Sequence, residues 1–194
     1  MTIRELDRVV DLRAGFTKVH VVAALLALEN GPLGRAGLMG ELGLNEASVK
    51  TMTRRLGKLG YVQPSTKGQV LSKRGIGFAR YWKRKCDGPL EIKGHELSTG
   101  KVDCGILVRG GKKRVGNGQE IRDEAIKSGA AGASVAVVGD IISVPFCKIK
   151  IKSFEGEAKR LFRPERGDAL IIASAGEYRI AKGGALAGAI SILD

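Results

Sequence analysis

Residues 42–62, LGLNEASVKTMTRRLGKLGYV, decide how the first half of this 194-residue chain is to be read. Gly43 supplies a turn in a conformation that side chains with a Cβ resist. Asn45 stands where a helix N-cap belongs, its side-chain oxygen placed to accept from the first free amides. From Glu46 to Leu59 the apolar residues Val49, Met52, Leu56 and Leu59 recur in steps of three and four, so they share one helical face. At about 100° per residue, Arg54 points almost directly away from that face. Ala47, Lys50, Thr51 and Lys58 flank it, with Arg55 and Lys58 nearer the rim.

Working outward, residues 16–30 carry Val19, Val22, Leu25 and Leu26 at helical spacing until Gly31-Pro32 ends the run. Residues 35–42 form a second short helix with Leu38 and Leu42 inward. After Gly60, Tyr61-Val62-Gln63 and Gln69-Val70-Leu71 are β-prone and flank PSTKG, a hairpin with Lys67 at its tip. Ser72 caps a fourth helix, KRGIGFARYWKRK, whose Lys83-Arg84-Lys85 suits the negative end of the helix dipole. Gly88-Pro89 sets the expected domain boundary, 1–88 and 89–194. Helix, helix, turn, helix, hairpin, helix is the order of a winged helix-turn-helix.

Beyond that boundary Val102–Val108 and Ala169–Ser174 read as buried strands, and Ser134–Val138 and Ile141–Val144 as a hairpin turned at Gly139-Asp140. Lys148–Lys152 alternates as a strand with one wet face, its lysines protecting an edge. Asn117 and Glu120 make a capping-box-like pair at a helix ending near Ser128. Residues 177–193 form a last helix with a small-residue face, Gly184, Ala185, Gly188 and Ala189, which lies close on a sheet or forms a two-fold contact. The expected order, β-α-β-β-β-β-α, is a two-layer α+β sandwich.

Charge and chemistry narrow the function. The net charge is +13, and residues 1–90 hold 16 basic against 7 acidic side chains, whereas residues 91–194 hold 17 against 13. The first half is therefore the better partner for a polyanion. No apolar run approaches the roughly 20 residues that span a bilayer, and the start lacks a signal-peptide core, so a cytoplasmic protein without membrane contact is expected. Cys86, Cys104 and Cys147 are too few and too scattered for a disulfide framework. Cys86, His95 and Cys104 lack the close ligand pairs of a zinc site, His20 sits among valines, and no Gly-x-Ser-x-Gly elbow occurs. No metal, cofactor or catalytic set is expected, and no enzyme. The loop 110–118 places Lys112, Lys113 and Arg114 ahead of a helix N-terminus. With Asn117, Gln119, Arg122 and Asp123 these residues are the candidates for holding a small anionic effector.

The segment 42–62 followed by LSKRGIGFA (71–79) resembles winged-helix regulators of the MarR/Lrp-like kind, whose marks are the glycine after the third helix and Leu-Ser-x-x-Gly entering the fourth. The runs VGNGQEIRDEAIKSGAAGASVAVV (115–138) and GDALIIASAGEYRIAKGGALAGAISIL (167–193) resemble an archaeal family of unknown function that carries the same winged helix in front. Its second domain resembles the GAD-type β-α-β-β-α domain found inserted in some tRNA-linked enzymes; the strands at 148–152 and 169–174 depart from that minimal pattern. The helix order, the capped third helix and the basic wing lead to the expectation of a sequence-specific DNA-binding transcription regulator, a homodimer meeting two half-sites of a duplex. The expected contacts are Ala47, Lys50, Thr51, Arg54, Arg55, Lys58, Lys67, Lys73 and Arg74. The alternatives are an RNA-binding protein working through its second domain and a winged helix used to bind protein.

Overall fold

The computed structural model describes residues 3–93, 98–145 and 152–194. The chain is mixed α+β and divides into two compact units, Met1–Lys83 and Arg84–Asp194. The division falls in the last turn of a helix and not at Gly88-Pro89. Those two residues instead form a register shift inside a strand, where Asp87 and Leu90 pair with Leu107 and Gly105.

In the first unit, α1 (Lys18–Glu29), α2 (Arg35–Leu42) and α3 (Glu46–Lys58) precede the hairpin β1 (Val62–Ser65) and β2 (Gly68–Leu71), and α4 (Lys73–Lys85) follows. α1 turns Val21, Val22, Leu25 and Leu28 inward; Val19 and Leu26, expected inside, are only half-buried. The Thr17 amide donates to His20 Nδ1 at 3.1 Å, so this histidine closes the start of α1. Gly43 adopts φ 66° and Asn45 Oδ1 accepts from the Ser48 amide at 2.9 Å, as the sequence requires. The hairpin is tighter than expected, Ser65 pairing with Gly68 across Thr66-Lys67. Its second strand is fastened to the α1–α2 connection by reciprocal bonds between Leu33 and Gln69, 3.1 and 2.9 Å. Ser72 Oγ accepts from the amides of Arg74 and Gly75 and so starts α4. Tyr61, Phe78 and Trp82 are buried, the Tyr61 and Phe78 rings meeting edge-on with centroids 6.5 Å apart.

The second unit is a five-stranded antiparallel sheet in the order β3-β4-β7-β5-β6. Its strands are β3 (Cys86–Ile92), β4 (Val102–Val108), β5 (Gly132–Val138), β6 (Ile142–Ser143) and β7 (Ala169–Ala175), with helices α5 (Gln119–Lys127), α6 (Lys152–Phe162) and α7 (Tyr178–Leu193). The two-layer expectation is corrected here. α5 and α7 lie on the face of Ile171 and Ala173. Ala158 and Phe162 of α6 join Leu107, Ala136, Leu170 and Ile172 on the other. The sheet needs cover on both faces because β7 is buried at every position, which leaves no wet side. β3 and α6 were not foreseen. Of the expected strand at Lys148–Lys152, Lys152 opens α6 and 148–151 lie outside the described residues.

The small-residue face of α7 is consumed within the unit. A Cβ on Gly188 would come within 2.9 Å of Ile171 Cγ2, and one on Gly184 within 2.8 Å of Ala130 Cβ. That close approach is what the glycines permit, and it removes this face as a two-fold contact. Arg109 clasps the opposite side: it donates to Asp168 at 2.9 Å, to the Asp87 carboxylate, and to the carbonyl of Phe162 at 3.1 Å, at the end of α6. Asp168 also accepts from the amides of Gly110 and Glu165, each at 2.9 Å.

Candidate nucleic-acid interface

Helix α3 buries Val49, Met52 and Leu56, so the side chains opposite are fixed by helical geometry. Arg54 stands within about 15° of directly opposite that stripe. Ala47, Lys50, Arg54 and Lys58 are exposed and Thr51 is half-buried. Among the described residues, the charged ends of Lys50, Arg54 and Lys58 enter no ion pair or hydrogen bond, nor do those of Lys67 at the hairpin tip and Lys73 at the start of α4. Lys67 and Lys73 are also exposed.

Two of the expected contacts are engaged elsewhere. Arg55 donates to the carbonyls of Val9 and Val10, at 3.2 and 3.0 Å, and to Asp11 Oδ2 at 2.5 Å. Arg74 donates to the Leu59 carbonyl at 2.8 Å and to Glu5 at 2.9 Å, and its guanidinium lies 4.5 Å over the Tyr61 ring. The hydrogen bond to Glu5 is the main cause holding Arg74 above its ordinary range. Both arginines brace the amino-terminal turns against the helices. Three other cations of this unit are paired likewise, Lys18 with Asp7, Arg35 of α2 with Glu46 of α3, and Lys83 with Glu29, whereas Arg8, Arg13 and Arg80 are not, among the described residues.

In the second unit a cleft of about 440 Å³ is bounded by the start of α5 and by β5. Asn117, Gln119, Arg122 and Asp123 line it together with Ser134, Val144 and Pro145. Four of the seven effector candidates thus converge. Lys112, Lys113 and Arg114 do not; they form a separate 3-10 turn, where Arg114 donates to the Ile192 carbonyl at 2.9 Å and holds the end of α7. Asn117 is not the helix cap. It accepts from the Gln119 amide at 3.0 Å, and Gly118, at φ 79°, takes the cap position. Ser134, Val144 and Pro145 were missed because their placement depends on the sheet. His95 and Cys147 lie outside the described residues. Among the described residues no group of three metal-ligating side chains forms, and no helix is long and apolar enough to cross a membrane.

The arrangement is that of a two-unit α+β protein with an unengaged cationic helix face. Residues 99–192 match the model for a domain of unknown function (DUF4443). A solved structure, the hypothetical protein PH0730 from Pyrococcus horikoshii OT3, is similar at 30% identity over 90% of this chain and 91% of that one, with a TM-score of 0.73. The chain belongs to the archaeal family of unknown function that this protein represents. No curated protein matches it.

Proposed function

We propose that the first unit is a winged helix-turn-helix that reads duplex DNA, and that the protein is a cytoplasmic DNA-binding regulator. The observation carrying this reading is the cluster of unpaired cations on one outward face of α3. Arg35, Arg55, Arg74, Lys18 and Lys83 are paired within the unit, whereas Lys50, Arg54 and Lys58 are left unpaired on one outward face of α3. A helix presenting such a face fits the major groove. Arg54 supplies a fork for guanine O6 and N7, Thr51 meets a thymine methyl or a phosphate, and Lys50 and Lys58 take phosphates beside Ala47. Lys67 at the hairpin tip reaches the adjoining minor groove or backbone, and Lys73 adds a phosphate contact. Arg55 and Arg74 act one step back, holding the helices in place.

The second unit, in this reading, dimerises the protein so that two readers meet two half-sites, and its cleft takes the effector. Arg122 would meet the anionic group of a small molecule seated against Val144 and Pro145. The GAD-like resemblance is proposed for this unit, with β3, α6 and β7 standing outside the minimal β-α-β-β-α pattern.

The test is capture of nucleic acid from fragmented genomic DNA and total RNA by the full chain, followed by sequencing. Recovery of duplex fragments sharing a palindromic site is expected, with Arg54→Ala lowering specific affinity by roughly 10- to 100-fold, the worth of one bidentate base contact. Recovery of structured RNA alone, or an Arg54→Ala protein that binds as well as wild type, would sink the reading.

A further inference from the structure

The turn that Arg55 braces has a face of its own. Asp11 Oδ1 accepts from the Arg13 amide at 3.1 Å, the Ala14 amide donates to the Asp11 carbonyl at 3.1 Å, and Gly15, at φ 72°, returns its amide to Leu12 O at 3.1 Å. Asp11 then bridges Phe16, which is fully buried. Two side chains of α3 fasten this loop from outside it: Ser48 Oγ donates to the Ala14 carbonyl, and Arg55 donates to Asp11. Ser48 and Arg55 both lie on one flank of α3, about 100–120° around the helix from Arg54. The loop therefore stands beside the outward face, on the flank nearer Thr51, and is held there by bonds at both of its ends.

What this braced loop presents is unusual for a surface turn. Leu12 is 75% exposed, well above the 42% of Ile76 and Ile126, the next most exposed large apolar side chains described. Arg13 beside it is exposed, and its guanidinium has no ion pair or hydrogen bond among the described residues. An apolar side chain with a free guanidinium next to it matches the outer wall of a duplex groove, where a deoxyribose lies beside its phosphate.

We propose that the loop Asp11–Phe16 is a second contact of the same interface, Arg13 on a phosphate flanking the groove that α3 enters and Leu12 on the neighbouring sugar. This rests on the DNA-reading role proposed for α3. Ser48 and Arg55 become positioning residues, which fix the loop so that the phosphate contact and the base contact share one register. The bracing also means that Arg13 is presented from an ordered backbone, so less freedom is lost when it binds.

The test measures the salt dependence of full-chain binding to a labelled duplex of roughly two helical turns that carries the sequence recovered by capture. Arg13→Ala should make the slope of log affinity against log salt shallower by about 0.9, one phosphate contact. Arg13→Lys should keep the slope. Leu12→Ala should weaken binding about threefold with the slope unchanged, as expected of a contact that neutralises no phosphate. Both positions are exposed, so the variants should retain the wild-type melting temperature. An Arg13→Ala slope equal to wild type, beside a clear loss in Arg54→Ala, overturns the loop contact and leaves the reading of α3 standing. A Leu12→Ala protein that dissociates in solution while binding duplex normally assigns the loop to self-association and also overturns the proposal. If wild type binds no duplex at all, the reading of α3 falls and takes the loop contact with it.

Discussion

Arg55 Nη2 lies 2.5 Å from Asp11 Oδ2, joining α3 to a turn 44 residues earlier in the chain. Neither side chain is deeply buried, at 34% and 22% exposed, so the ion pair itself is screened by solvent. The two backbone carbonyls that share the guanidinium add to it. Arg55→Met is expected to destabilise the protein by about 1–2 kcal/mol, the range of a partly exposed charge-assisted bond. A shift in the urea midpoint at constant slope would confirm it, and an unchanged midpoint would remove the bracing role.

Gly75 is a space requirement more than a flexibility requirement. A Cβ at this position would sit 2.1 Å from the Tyr61 carbonyl oxygen, where α4 crosses the entry to the hairpin. A backbone atom cannot swing aside as a side chain can. Gly75→Ala should therefore cost about 3 kcal/mol, the upper end of ordinary overpacking penalties, despite alanine's better helix propensity. Thermal melting compared with Gly40→Ala, a helical position where an added Cβ meets nothing within 4 Å, distinguishes crowding from propensity.

In the second unit, Arg109 gathers Asp87, Asp168 and the carbonyls that end α6. The Asp168 side chain is only 6% exposed, so removing its cation leaves a carboxylate held by two amides alone. Arg109→Met is expected to cost about 3 kcal/mol, near the lower end for breaking a buried pair because those amides remain. Hydrogen exchange should quicken along α6 and β3. A uniform effect over the whole unit with no bias to α6 would contradict the clasp.

Burial pushes the Cys104 thiol up to about 12, with the Tyr178 hydroxyl and Lys182 only partly offsetting it. Burial, with Asp87 adding to it, pushes Cys86 higher still. Thiolate forms only as pH rises through these values, so both thiols are protonated and unreactive at pH 8. Iodoacetamide at pH 8 should leave both unmodified in the native protein and alkylate both in guanidinium, read by peptide mass mapping. Native alkylation within minutes would show that the second unit opens readily.

The sequence alone determined α3, its Asn45 cap, the Gly43 turn and the inward stripe, because a helix writes its caps and its 3.6-residue period within a dozen neighbouring positions. It likewise marked the hairpin and the antiparallel turn at Gly139-Asp140. It set Arg54 opposite the stripe and Arg55 nearer the rim, but could not tell that only one of them is free to reach outward. They are adjacent cations on one helix, and only a turn 44 residues away takes the second and leaves the first facing outward. Nor could it place α6, since β7 carries no alternation of apolar and polar residues to name a wet face. Which surfaces cover a strand buried on both sides is decided by contacts between distant segments, and the tertiary structure alone supplies them.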